Sequence, residues 1–400
     1  MKLHSIAALD LGTHSLKMVV ARQNEGGEFE IVAAAQEPSS GVRKGTIVNP
    51  DEVAKKIGIL MGKVESMASL PITEFVVNIG GGHIFITPSH GIVAVSRADG
   101  NVSQEDVERV LQAAQALSLE SNKEVLDVIP KEFIVDGTGG LREVVGMKGV
   151  RLEVNVLALC AFSPYMKHLS DAVLSSGVGI ADMVVSPLAD AAAVLSPRQK
   201  EVGAAVIDIG AGTTGLAVFE EGDLIHTSVL PVGSENITND IAIGLRVDPA
   251  LAERIKLEYG ILASKGKKIQ KIALDNGTHF SFSQKLLSHI IEARINEIFQ
   301  CIQRELKQVE RQEKLPAGII LTGGGAKLPS LADFARKELK LSTKVGLPSG
   351  IVGFPEDPAF AVALGLLYRG IELQEYAPRT FLEDNPFLQR IKKVFRLFIP

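Results

Sequence analysis

The stretch IAALDLGTHSLKMVVA (6–21) is matched in layout by AAVIDIGAGTTGLAVF (204–219), nearly half the chain further on. Each is an apolar run ending in Asp-Leu-Gly or Asp-Ile-Gly, then a short polar turn, then a second apolar run. Such a pattern predicts a β-hairpin. Two copies at this spacing predict two related halves. In each turn glycines let backbone N–H groups converge on an anion, and Ser or Thr hydroxyls add donors. An Asp at each strand end, Asp10 and Asp208, suits a magnesium ion held through its water shell. One such hairpin is most often only a tight turn; two facing each other suit the grip of a polyphosphate from both sides.

A third element follows at AGIILTGGGAKLPSLADFARKEL (317–339): an apolar strand, a turn at Gly323, Gly324 and Gly325, then an amphipathic helix. The glycines permit close approach to a flat or charged ligand, and the helix start offers donors. Taken alone, the segment reads equally as a tight strand-to-helix crossing. It does not match the GxxxxGK[ST] spacing of a P-loop.

Composition narrows the remaining classes. Lys and Arg number 42 against 47 Asp and Glu, for a net charge of -5, and no basic stripe precedes the last residues. Nucleic acid is not an expected partner. The two cysteines, Cys160 and Cys301, are far apart and lack companions at metal-ligand spacing, as in a reducing compartment. No HExxH or similar histidine pattern is present. The opening MKLHSIAALDLG has no apolar leader, and no run reaches the ~18 apolar residues of a membrane span. A cytosolic chain is expected.

The ordered set Asp-Leu-Gly-Thr, Asp-Ile-Gly-Ala-Gly-Thr-Thr and Thr-Gly-Gly-Gly-Ala resembles the phosphate 1, phosphate 2 and adenosine motifs of the actin-like ATPases. Within them the chain resembles the FtsA family of bacterial division proteins, over nearly its whole length. The resemblance rests on VIPKEFIVDGTGGLREVVGMKGVRLEV (128–154), VLPVGSENITNDIA (229–242), LTGGGAKLP (321–329) and DPAFAVALGL (357–366). It implies an α/β actin-like ATPase fold: two duplicated halves with mixed sheets flanked by helices, plus an inserted α+β subdomain of SHS2 type. The first half would take 1–81, 161–198 and 356–378, and the insert 82–160. The second half would take 199–230 and 302–355, with a helical and strand subdomain at 231–301. A linker at 379–385 and a terminal amphipathic helix at 386–400 would complete the chain.

The same resemblance implies ATP and Mg2+ as cofactors. Asp10, Gly12, Thr13, Ser15 and Lys17 match the first phosphate loop. Asp208, Gly210, Gly212, Thr213 and Thr214 match the second, with Asp10 and Asp208 toward the magnesium. Gly233 falls on the turn that closes over the phosphates. Glu253 and Lys256, three apart and so on one helix face, match the pair that meets the adenosine; their plainer reading is a solvated ion pair. Gly323 to Gly325 and Lys327 complete the pocket. Many actin-like ATPases carry a Glu-Pro-x-Ala segment whose acid orients the attacking water. Here SPLADAAAVL (186–195) puts Ser186 in that place, and Asp190, one helical turn on, points from elsewhere. Binding with slow hydrolysis is the expectation.

Residues 82–160 read as strand GIVAVS, helix SQEDVERVLQAAQAL (103–117) capped by Ser103 with Asp106 in its first turn, then strands in KEVLDVIPKEFIVDG and VRLEVNVLAL. Gly80 to Gly82 and Gly91 read as hinge and turn glycines. By resemblance this insert meets other copies of the chain and later division proteins. FSQKLLSHIIEARINEIFQCIQRELKQVERQ (282–312) reads as a long amphipathic helix. Arg294 and Glu297 lie on its polar side, and the resemblance implies that they contact the C-terminal tail of FtsZ, the tubulin-like ring protein.

The chain ends NPFLQRIKKVFRLFIP (385–400), with four cations, no acid and eight large apolar side chains. Asn385 and Pro386 suit a helix start. Phe387, Leu388, Ile391, Val394, Phe395, Phe398 and Ile399 fall within an arc of roughly 140°. Arg390, Lys392, Lys393 and Arg396 take most of the rest, and Leu397 stands among them. At ~1 kcal/mol per cation near an anionic leaflet and a share of ~1.5 to 3 kcal/mol per apolar side chain, the helix suits weak attachment to a membrane. The acidic, Pro-containing ELQEYAPRTFLEDN (372–385) reads as its tether. With such a tail, the resemblance to the FtsA family implies a polymerising adaptor on the inner face of the cytoplasmic membrane at the division site, tethering FtsZ filaments. Its rivals are a PilM-like pilus-assembly protein and a small-molecule kinase of the same fold.

Overall fold

The computed structural model describes residues 5–264, 268–274 and 277–375. The terminal amphipathic helix expected at 386–400, and the linker before it, lie outside the described residues.

The first hairpin is present as expected: β1 (Ser5–Leu11) runs antiparallel to β2 (Ser15–Gln23), with Asp10 opposite Lys17. Strand β3 (Phe29–Pro38) continues the meander. After the short β4 (Val42–Arg43) and β5 (Thr46–Ile47) comes α1 (Pro50–Ala68), whose start is set by Asn49 accepting from Glu52 N and by Pro50 at the first helical position. β6 (Glu74–Ile79) then lies parallel to β1.

The chain leaves this half to build the insert. β7 (Phe85–Ala94), α2 (Gln104–Gln115), β8 (Lys123–Val135), β9 (Thr138–Leu141) and β10 (Arg151–Phe162) form a sheet of order β7-β10-β8-β9 with α2 packed on one face. Helix α2 starts on a reciprocal cap: Ser103 Oγ accepts from Asp106 N, and Asp106 Oδ2 accepts from Ser103 N at 2.9 Å. One expectation is corrected here. Gly91 is no turn residue but lies inside β7, where a Cβ would sit 2.2 Å from Val110 O of α2. Glycine is present so that the helix can approach the strand.

Back in the first half, α3 (Ser163–Ser175) leads to β11 (Gly179–Val185), then α4 (Ser186–Val194) and α5 (Pro197–Val202) cross to the second half. There β12 (Ala204–Ile209), β13 (Thr214–Glu220) and β14 (Asp223–Leu230) repeat the meander. Helices α6 (Ser234–Leu245) and α7 (Pro249–Tyr259), the ribbon of β15 (Ile269–Ala273) and β16 (His279–Ser283), and the long α8 (Gln284–Gln308) follow. The chain returns through β17 (Gly318–Thr322), a 3-10 turn at Gly324–Lys327, α9 (Leu331–Leu339), β18 (Thr343–Val345) and α10 (Ala361–Glu375). Because α10 runs to Glu375, the first residues of the expected tether are helical.

The duplication is explicit in the topology. The two main sheets have orders β11-β6-β1-β2-β3 and β18-β17-β12-β13-β14, with matching parallel and antiparallel pairings. Each sheet buries branched side chains on both faces, so β1 and β12 read as nearly continuous apolar runs. Helix α10 lies along α4, where Gly365 faces Ala189 O so closely that a Cβ there would be 1.9 Å from it.

Candidate functional site

The two hairpins end on a common floor. Asp10 lies one residue before the end of β1 and Asp208 one residue before the end of β12. Their turns touch: a side chain on Gly212 would begin 2.8 Å from Thr13 Oγ1, which itself accepts from Gly45 N at 3.0 Å. Between the halves opens a cleft of about 910 Å³. Asp10, Gly12, Thr13, Ser15, Lys17, Asp208, Gly210, Thr213, Glu253, Lys256, Gly323, Gly324, Gly325 and Lys327 all line it.

Gly212, Thr214 and Gly233 stand beside the cleft and shape it. Thr214 Oγ1 donates to Val232 O at 2.8 Å. Gly233 starts α6 against the second turn, where a Cβ would sit 2.5 Å from Ala211 O, and Ser234 N and Glu235 N donate to Gly210 O and Ala211 O. The start of α6 is thereby clamped to the turn. Gly323 needs its glycine twice over, because its φ is +82° and a Cβ would stand 1.8 Å from Asp208 Oδ1.

Charge on the floor is concentrated and nearly dry. Lys17 Nζ donates to Asp10 Oδ2 at 2.8 Å, and Asn78 Nδ2 donates to Asp10 Oδ1 at 3.0 Å. Burial works against the Lys17 ammonium, and the Asp10 carboxylate more than reverses it, so its pKa is raised. Asp208 is pushed up to about 6, first by burial and then by the Asp10 charge, with Lys17 acting the other way. Asp190, wholly buried on α4, is raised well above the usual carboxylate range by burial, Asp208 and Asp10.

At the far end, Glu253 and Lys256 are no free surface pair. Lys256 Nζ lies 2.7 Å from Glu253 and donates to Thr238 Oγ1 at 2.8 Å, while Thr238 also bonds Glu253. Pro249, Leu257, Leu328 and Pro329 give this end flat apolar walls. Lys327 is held by Asp357 at 2.5 Å. The residues fit a purine nucleotide: apolar walls and polar pair at one end, glycine turns and an ammonium at the other. Carboxylates on the floor fit a hydrated divalent ion, which binds through oxygen and keeps its waters.

Three of these residues were missed as site residues by sequence reasoning: Asn78, Thr238 and Asp357. Asn78 stands as a lone polar residue in an apolar run, VVNIG, and that isolation was the available signal. Ser186, expected only as a missing acid, takes part in the floor: its Oγ accepts from Asn78 Nδ2 at 3.1 Å and donates to Ile79 O at 3.2 Å. Asp190, one turn further along α4, is wholly buried at the border of the cleft.

On the outer side of α8, Arg294 and Glu297 are 2.5 Å apart as the spacing predicts. A third member comes from α6: Asp240 takes Arg294 in a fork, with Nε to Oδ2 at 2.6 Å and Nη2 to Oδ1 at 2.8 Å. The next residue on α8, Ile295, lines the cleft.

The family model described as Cell division protein FtsA matches residues 205–365, and the one described as SHS2 domain inserted in FTSA matches 81–160. Cell division protein FtsA of Pseudomonas aeruginosa is 33% identical over 404 residues, covering 97% of this chain and 96% of its own. The chain belongs to the FtsA family. Its Bacillus subtilis relative is 36% identical over 364 residues, covering 90% of this chain and 82% of its own. The Escherichia coli K12 relative is 29% identical over 381 residues, with 92% and 90% covered.

Solved structures place this FtsA-family fold among the actin-like proteins. The PilM-PilN type IV pilus biogenesis complex gives a TM-score of 0.66 at 21% identity, covering 92% of this chain and 98% of that one. MreB5 of Spiroplasma citri bound to ADP gives 0.57 at 12% identity, covering 94% and 99%. At these identities the likeness is one of fold. Among the described residues no helix is long and apolar enough to cross a membrane.

Proposed function

We propose that this chain is an ATP-binding, actin-like division protein that assembles with copies of itself on the inner face of the cytoplasmic membrane and ties FtsZ filaments to it. The observation that carries the reading is the single cleft into which both duplicated hairpins, the triple-glycine turn and the Glu253–Lys256 pair converge. Gly12, Thr13, Ser15, Gly210 and Thr213 surround the phosphates; Lys17 neutralises part of their charge; Asp10 and Asp208 hold the hydrated magnesium ion. Ser186, its hydroxyl already used by Ile79 O, offers no carboxylate to an attacking water, so turnover is slow.

Nucleotide in the cleft sets how the two halves meet, and thereby favours or disfavours filament contacts. Arg294, Glu297 and Asp240 form the face for the C-terminal tail of FtsZ, and the insert carries contacts to further copies and other division proteins. Residues 386–400 supply the lipid-seeking helix. Titration of the full chain with a fluorescent ATP analogue tests the reading. Saturable, magnesium-dependent binding displaced by ADP is expected; no binding at millimolar nucleotide and magnesium overturns it.

A further inference from the structure

The insert branches from the first half between β6 and α3, yet both edges of its sheet reach the second half. At one edge, β7 is preceded by Gly80 to Gly82, and Gly82 lies against Val229 and Pro231. At the other, Arg142 directly follows β9, donates to Glu221 O at 2.6 Å and comes within 3.4 Å of Asp223 Oδ2. Asp223 opens β14 and Val229 lies near its end, so the four-stranded sheet bridges that edge strand over roughly 20 Å.

The two attachments differ in kind. The first is covalent and rich in glycine, with Gly81 at φ +101°, a backbone suited to a pivot. The second is polar, and the Arg142 side chain keeps 46% of its surface in solvent. What Arg142 grips is well anchored. Glu221 N donates to Glu201 O and Gly222 N to Lys200 O, both on the α5 that joins the halves, while Arg311 Nε holds Glu220 at 3.0 Å. Asp223 is less satisfied: its Oδ1 is buried without a donor. Burial raises its pKa, against which Arg142 and then Lys131, both of the insert, act.

Magnitude decides what such a contact does. A half-solvated guanidinium bond to a carbonyl, with a carboxylate beside it, favours closed over open by roughly tenfold. That holds most molecules and locks none. We propose that Arg142 and the Glu221–Asp223 turn form a releasable clasp. Closed, it ties the insert to the second half and to α5; open, it lets the insert turn about its glycine root, uncoupled from the junction of the halves.

The test uses the full chain, without nucleotide, carrying Cys301→Ser and spin labels at Lys148→Cys in the insert and Lys337→Cys on α9, both exposed positions. The remaining cysteine, Cys160, is buried. Pulsed electron resonance then gives the distribution of label distances at low and high salt. With Arg142 present, one narrow peak is expected at low salt, beside a minor population of about a tenth that grows as salt screens the contact. Arg142→Ala is expected to give a broad distribution at both salt concentrations, and Arg142→Lys, which keeps a cation, one between the two. Distributions that coincide for Arg142 and Arg142→Ala overturn the proposal. So does a distribution that ignores salt when Arg142 is present, a result that needs no variant at position 142 to fold.

Discussion

Gly323 is where one methyl group does most damage. A Cβ there would meet Asp208 Oδ1 at 1.8 Å in a backbone of positive φ, so Gly323→Ala strains the turn by about 1 kcal/mol or more and pushes on the floor. Nucleotide affinity is expected to fall at least ~tenfold, read by the same titration. The floor acids give a pH signature. An ordinary Asp titrates near ~4, whereas Asp208 is pushed up to about 6 by burial and Asp10, and Asp190 is displaced in the same direction. A folded value above the unfolded one means stability present in acid and lost as pH rises through about 6. The nucleotide-free protein is thus expected to lose melting temperature as pH rises from about 4 to about 6, and Asp190→Asn to reduce that slope without abolishing it, because the burial and the Asp10 charge that raise Asp208 remain. A slope equal in both proteins contradicts the coupled acids. That a function-bearing pair should cost stability is a known exchange at sites of this kind.

At the scale of elements, α2 and α8 carry the clearest consequences. Asp106 on α2 is wholly buried and accepts from Ser96 N, Ser103 N and Ser103 Oγ, with Arg109 beside it. Burial opposes its charge, but these donors hold its pKa far below the usual range. Asp106→Ala leaves them orphaned and is expected to cost about 2 to 4 kcal/mol, read as an earlier urea transition of the insert. On α8, Arg294→Gln is expected to weaken binding of an FtsZ C-terminal peptide by ~tenfold or more in fluorescence anisotropy; an unchanged affinity removes α8 from the proposed contact. These elements also mark how much the sequence allowed to be read. The caps at Ser103 and the period of α8 are local and were legible, as were the two Asp-Gly hairpins. Gly91 was not, because a strand glycine that admits a helix has the same letter as a turn glycine. Nor were the roles of Asn78 and Asp240, because which lone polar side chain faces the cleft, and which acid reaches Arg294 from α6, is decided by packing between segments far apart in the chain.

Over the whole molecule, duplicated sheets put two anion-binding turns face to face, and the insert sits between β6 and α3, reaching the second half through Arg142, which donates to Glu221 O at 2.6 Å. On the proposed function, a nucleotide gripped by both turns would bear on the angle between the halves, and α10, packed along α4, leads toward the C-terminal stretch. On the proposed function, membrane attachment through residues 386–400 would be weak per copy and gain strength from assembly. The most direct measurement is sedimentation of FtsZ filaments with vesicles containing anionic lipid, in ATP and magnesium, with either the full chain or a chain ending at Asn385. FtsZ is expected to pellet with the vesicles only when the full chain is present, and less when the vesicles are neutral. FtsZ that pellets equally well with the shortened chain, or not at all with the full one, contradicts the account.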